Sequence, residues 1–101
     1  MRVADFRTTV SALSDVFASL RGCTVHERVA EGKRVRIHLG CVRRALEAVK
    51  RAQPRDLEHA RSLVAAAERY IAEAPGLAEA LDRAEAADAN FCRLAFAGEY
   101  R

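Results

Sequence analysis

A narrow apolar seam near the start of the chain constrains the fold more than any other feature. Its six bulky apolar residues follow one another at steps of three or four residues: Val3, Phe6, Val10, Leu13, Phe17 and Leu20. On a helix these steps place all six on one face, as in helical bundles and coiled coils. The pattern predicts a helix from Val3 to Leu20 that stops near Gly22. We expect the seam to pack inside the domain, and the alternative is self-association or the docking of a partner helix through it.

The segment after this helix changes to a period of two. Aliphatic residues alternate there with Arg and His, and Glu31-Gly32 separates two such runs. Alternation of this kind is typical of half-buried strands, so the sequence predicts a β-hairpin over about 23–39, with Gly32 in a three-residue loop. One face of the hairpin would comprise Val25, Val29, Val35, Ile37 and Leu39. The other face would comprise His26, Arg28, Arg34, Arg36 and His38.

Helical spacing returns after Gly40 and predicts three further helices. The first carries Val42, Ala45, Leu46 and Val49 and ends near Gln53. The next begins at Pro54, a residue suited to a first helical turn, and reaches about Ala74. Pro75-Gly76 then breaks the chain before a last helix, whose apolar stripe comprises Leu77, Ala80, Leu81, Ala84, Ala87, Phe91 and Leu94. The short break predicts that the last two helices form an antiparallel hairpin.

These elements together define the expected fold class and location. The 101 residues fit one domain over 1–101, of class α+β but mostly α: a helical bundle of four helices with one β-hairpin between the first and second. Alanine contributes 21 residues and there is no Trp, so the core is thin and a homo-oligomer would bury more surface. We expect a cytoplasmic protein with reduced cysteines, because neither a membrane span nor a signal peptide is present in the sequence.

The charge is divided unevenly along the chain. Residues 1–55 hold 12 Lys and Arg against 5 Asp and Glu, whereas residues 56–101 hold 5 against 9. A concentrated basic surface attracts phosphate or acidic protein. We therefore expect a partner-binding surface on the polar hairpin face and the second helix. Its residues are Arg28, Arg34, Arg36, Arg43, Arg44, Lys50 and Arg51.

Two alternatives to an acidic protein partner stay open for this surface. The acidic third and fourth helices, or those of a second subunit, could neutralise its charge. Nucleic acid could bind it instead, although the basic region has no aromatic residue on which bases could stack. The expected function is that of a small regulator, inhibitor or adaptor of a larger protein or protein complex with an acidic surface, with nucleic-acid binding as the alternative.

A metal site and a catalytic site are both disfavoured. Cys23-x2-His26 and His38-x2-Cys41 bracket the predicted hairpin and contain residue types that zinc prefers. However, residues three apart on a strand point to opposite faces, and the spacing is not that of a standard zinc finger. We expect no metal or cofactor, with the cysteines serving as small packing residues. A thin bundle also offers little concavity for catalytic groups, so we expect no enzyme activity.

Overall fold

The protein consists of four α-helices joined by short links. The computed structural model describes the backbone of residues 1–99 and the side chains as far as Ala89. The helices are α1 (Val3–Gly22), α2 (Arg28–Ala48), α3 (Pro54–Glu73) and α4 (Leu77–Glu99). Within residues 1–99 there is no β-strand. None of the helices in this range combines the length and the apolar character needed to cross a lipid bilayer.

The first three helices form a bundle in which α1 and α3 run in the same direction. Near the start of both helices, Arg7 of α1 pairs with Asp56 of α3 at 3.0 Å. Near their other ends, the Phe17 and Tyr70 rings meet edge to face, with their centroids 5.7 Å apart. The link 23–27 returns the chain, so α2 runs against both neighbours.

The apolar seam of α1 forms the centre of the core. Phe6, Leu13 and Leu20 are at most 1% exposed, and Val10 and Phe17 are also buried. The remaining core residues are Val16 of α1 and nine residues of the other three helices: Val35, Leu39, Val42, Ala45, Ala60, Ala67, Ile71, Leu77 and Leu81. The seam is therefore used inside the domain, and it is not a free surface for self-association.

The predicted β-hairpin is wrong, and so is the α+β class that depended on it. Residues 28–48 form one continuous helix, because a helical seam crosses the region that alternates. Its members recur every three or four residues: Gly32, Val35, Leu39, Val42 and Ala45. By contrast, Val25 and Ile37, which the hairpin needed on its apolar face, are 73% and 64% exposed.

The fourth helix packs mainly on α2 rather than beside α3. Gly76, with a φ of 74°, turns the chain after α3, so that α4 crosses α2. At the crossing, the Leu81 side chain lies over Gly32. The predicted antiparallel hairpin of α3 and α4 is therefore replaced by an α2–α4 contact.

The molecule is flatter than a typical domain of its length. It extends over 50 × 36 × 16 Å with a radius of gyration of 15.9 Å, against about 13 Å for a compact chain of this length. Its accessible surface is 7,125 Å², whereas a monomer of this mass has about 5,700 Å². The fold therefore leaves an unusually large surface uncovered.

Candidate binding surface

Three of the seven predicted binding residues are paired with acids of the same chain, and two of the three have a single acidic partner each. Arg34 lies 3.2 Å from Glu31, one turn earlier on α2. Arg43 hydrogen-bonds to Glu68 and thereby joins α2 to α3. For these two arginines, the structure favours the alternative in which the chain neutralises its own charge.

Arg36 is neutralised more completely, by two carboxylates of α4. Its guanidinium lies 2.8 Å from Asp82 and 3.0 Å from Glu85. Burial alone would lower the pKa of Arg36, but the hydrogen bonds to both acids and their charges outweigh it, so that this pKa lies above its usual value. The side chain is only 26% exposed and acts as a link between α2 and α4.

Arg28 lies at the start of α2, away from the other predicted binding residues. The residue is half-buried against the α3–α4 turn, beside Tyr70 and Glu73. Its Nε is buried and has no hydrogen-bond partner among the described residues. Its burial makes it a poor contact residue for a partner.

The other three predicted binding residues, Arg44, Lys50 and Arg51, are exposed around the end of α2. Two more exposed arginines lie at the same end of the molecule, namely Arg2 before α1 and Arg55 in the first turn of α3. We call the five residues the basic end. None of them forms an ion pair with any residue whose side chain is described.

The course of the chain explains why these five cations lie at one end of the molecule. The Met1 amino nitrogen lies 3.3 Å from the Ala48 carbonyl oxygen, which places the start of α1 beside the end of α2. The link 49–53 then leads directly into α3. Sequence reasoning missed Arg2 and Arg55, because they join the group only once α1 and α2 are known to be antiparallel.

The basic end keeps a positive excess after the nearby acids are counted. The exposed acids closest in sequence are Asp5, Glu47 and Glu58, three against five cations. The N-termini of α1 and α3 lie at the same end and add partial positive charge through their helix dipoles, which exceeds the partial negative charge from the C-terminus of α2. The arrangement can attract carboxylate or phosphate groups and hold them through arginine hydrogen bonds.

The four residues considered as metal ligands do not come together. Cys23 and His26 lie in the link before α2, whereas His38 and Cys41 lie in the middle of that helix. A helix rises 1.5 Å per residue, so at least about 15 Å of α2 separates the two pairs. Within the described side chains, no three His, Cys, Asp or Glu residues are grouped as a metal site requires.

An open groove of about 440 Å³ lies between α3 and α4. Leu39, Ile71 and Ala78 form its apolar walls. Its charged residues are the pairs already described: Arg36 with Glu85, and Arg43 with Glu68. These charges satisfy one another, so the groove offers few free polar groups to a ligand.

A smaller groove between α1 and α3 contains residue types known from hydrolases. Ser11, Ser14 and His59 line it together with Asp56. However, both Arg7 Nε and Nη2 donate hydrogen bonds to the Asp56 carboxylate. In a catalytic triad the acid instead orients the histidine. The described hydrogen bonds of these residues include no link among serine, histidine and aspartate, so the groove lacks the ordered arrangement of a triad.

Comparison of the chain with protein-family models, curated proteins and solved structures finds no match. The functional argument therefore rests on the geometry and charge of the described residues.

Proposed function

We propose that the protein is a small non-enzymatic regulator, inhibitor or adaptor that binds an acidic surface of a larger protein through its basic end. The observation that carries the proposal is the contrast along α2. Arg34, Arg36 and Arg43 are paired within the chain, whereas Arg44 and the rest of the basic end have no acidic partner among the described side chains. A cytoplasmic location belongs to the same proposal.

The composition of this end favours a protein partner over nucleic acid. Met1 is 51% exposed beside the cations. Exposed Met together with Arg is typical of protein interfaces, where both residue types are enriched. Residues 44–55 include no aromatic side chain that could stack on bases. A long groove-reading helix is also missing from this end, since its cations are spread over three chain segments.

Charge reversal at the basic end tests the proposal. The test variant carries Arg44→Glu, Lys50→Glu and Arg51→Glu. The matched control carries Arg61→Glu, Arg69→Glu and Arg83→Glu, three exposed arginines on α3 and α4 with the same change in net charge. Circular dichroism should show unchanged helicity for both proteins, because all six side chains are exposed.

The assay is affinity capture from a nuclease-treated extract of the native host, with captured proteins identified by mass spectrometry. We expect the unaltered chain and the control to capture the same acidic protein, and the basic-end variant to lose it. Raising the salt from 0.1 to 0.5 M should weaken capture, because screening shortens the reach of exposed charges. Equal capture by the basic-end variant would show that another surface binds the partner.

A second measurement separates protein binding from nucleic-acid binding. Fluorescence anisotropy with a random-sequence duplex at 50 and 200 mM salt should show at most weak binding. If the chain instead binds the duplex tightly at 50 mM salt and loses about a thousandfold in affinity at 200 mM, it makes many phosphate contacts. That result would replace the proposal by the nucleic-acid alternative.

A further inference from the structure

We infer that α4 covers a second binding surface on α2, and that an acidic amphipathic helix of a partner takes the place of α4 there. The surface comprises Gly32, Lys33 and Arg36, and we call it the covered face. It lies in the first half of α2, more than about 10 Å along that helix from the basic end. The inference thus goes beyond the proposed function, which concerns the basic end.

The contact between α4 and α2 is closely packed only near the beginning of α4. Leu77 and Leu81, which lie one helical turn apart, are 2% and 0% exposed. A Cβ atom at Gly32 would lie 2.9 Å from Leu81, so the two helices are in direct contact there. Beyond this point an open groove of about 360 Å³ lies between the helices, beside Ile37 and Glu85. Two leucines therefore anchor this helix.

The rest of the described contact is electrostatic. Arg36 lies 2.8 Å from Asp82 and 3.0 Å from Glu85, and Lys33 lies 2.6 Å from Asp88. The three acidic side chains remain 51% to 70% exposed. Exposed ion pairs add little stability and are screened by salt, but they favour partners of the matching charge. The cations of the covered face thus select an acidic helix without fixing it in place.

The first three helices form nearly all of the described core without α4. Only Leu77 and Leu81 of the core residues belong to α4, and as far as Ala89 this helix has no contact with α1. The link from α3 turns at Gly76, which has a φ of 74° and no atom within 4 Å of a Cβ position. Glycine in an open turn can absorb the backbone rotation that a hinge requires. The helix can therefore leave α2 while the α1–α3 bundle keeps its packing.

This arrangement makes α4 an autoinhibitory helix. A partner helix with two apolar residues one turn apart and acids along one flank makes the same contacts with the covered face as α4 does. It gains access only in those molecules in which α4 has left α2, so its apparent affinity is reduced by that fraction. Weakening the hold of α4 should therefore strengthen the binding of such a helix.

A peptide with the sequence of residues 77–89 provides the probe. It has four acids against one arginine, and it is capped, labelled with a fluorophore and added to the full-length chain in 0.15 M salt. The test variant neutralises the acids that hold α4, by Asp82→Asn, Glu85→Gln and Asp88→Asn. The control has the same change in net charge at three exposed acids without an ion pair to a described side chain, by Asp15→Asn, Glu73→Gln and Glu79→Gln. Fluorescence anisotropy should show a Kd about tenfold lower for the test variant than for the control.

Two further pairs of substitutions in the test variant locate the bound peptide. Lys33→Glu with Arg36→Glu should abolish the gain in affinity, because the covered face would then repel the acids of the peptide. Lys50→Glu with Arg51→Glu, the same charge change at the basic end, should leave the gain intact, since 0.15 M salt screens charges beyond about 8 Å. The opposite result would place the peptide at the basic end. It would overturn the covered face as a binding site and leave the proposed function standing.

Leu81→Ala opens the same site by a different route. It removes one anchor of α4 but leaves the covered face unchanged, and the peptide supplies both leucines. We expect this variant also to bind the peptide more tightly than the control, and the peptide to raise its Tm by mass action. If neither Leu81→Ala nor the neutralised variant binds the peptide more tightly than the control, α4 does not compete for the covered face and the inference is overturned.

Discussion

The close approach of α2 and α4 at Gly32 leads to a quantitative prediction. A methyl group added at Gly32 would lie 2.9 Å from Cδ2 and 3.1 Å from Cδ1 of Leu81, which is fully buried. Gly40, on the same helix, has only the end of the Arg44 side chain nearby, at 3.6 Å. The two glycines therefore offer a matched pair of Gly→Ala substitutions that differ mainly in the space around the new methyl group.

The two substitutions should change the free energy of unfolding by different amounts. Gly40→Ala should stabilise the protein by about 1 kcal/mol, because alanine favours a helix interior by that amount. Gly32→Ala gains the same helix propensity but forces Leu81 against its neighbours, and overpacking a core costs about 1–3 kcal/mol. We expect Gly32→Ala to be about 1–3 kcal/mol less stable than Gly40→Ala, and either neutral or destabilised relative to the unaltered chain.

Urea unfolding followed by circular dichroism at 222 nm measures these differences. A double-mutant cycle with Leu81→Ala isolates the contact. Leu81→Ala alone should cost about 2–5 kcal/mol, and in its background Gly32→Ala should become stabilising, as Gly40→Ala is. If Gly32→Ala stabilises the unaltered chain as much as Gly40→Ala does, α4 does not cross α2 at this glycine.

Two further substitutions test the core and the surface pairs. Phe6→Ala should destabilise the protein by about 3–5 kcal/mol in urea unfolding, because the ring is 1% exposed in the core. A much smaller loss of unfolding free energy would mean that the α1 seam faces outward. Arg36→Gln should lower the free energy of unfolding by at most about 1 kcal/mol, because its partners Asp82 and Glu85 are largely exposed. This loss of stability should shrink at 1 M salt, which screens exposed charges. A larger loss that does not depend on salt would contradict an ion-pair role.

The helices in which the apolar residues follow only the helical period could be predicted from the sequence. The prediction for α1 was Val3 to Leu20 and for α3 was Pro54 to about Ala74, and both agree with the structure within two residues. In each helix, apolar residues recur every three or four positions. Pro54 also marked the start of α3, because proline suits a first helical turn.

The second helix was missed because two patterns overlap in it. Val35, Ile37 and Leu39 alternate as in a strand, but Val35 and Leu39 are also one helical turn apart, and Val42 and Ala45 continue that seam. The sequence prediction places Gly32 in a loop and begins the next helix after Gly40, although a glycine inside a helix costs only about 1 kcal/mol, which packing can offset. Following the seam back from Val42 would have identified the helix.

The error in secondary structure also explains why the predicted binding surface is divided. On a strand, Arg34 and Arg36 would share one face, because residues two apart point the same way. On a helix, two residues correspond to about 200°, so the two arginines face nearly opposite directions. Arg36 thus reaches the acids of α4, while Arg34 pairs within α2. The total charge could be counted from the sequence, but which cations stay free depends on the faces that α2 presents to its neighbours. Since α3 and α4 neutralise cations along the side of this helix and Arg28 is half-buried at its start, the exposed unpaired charge lies around its C-terminal end, where we place the partner.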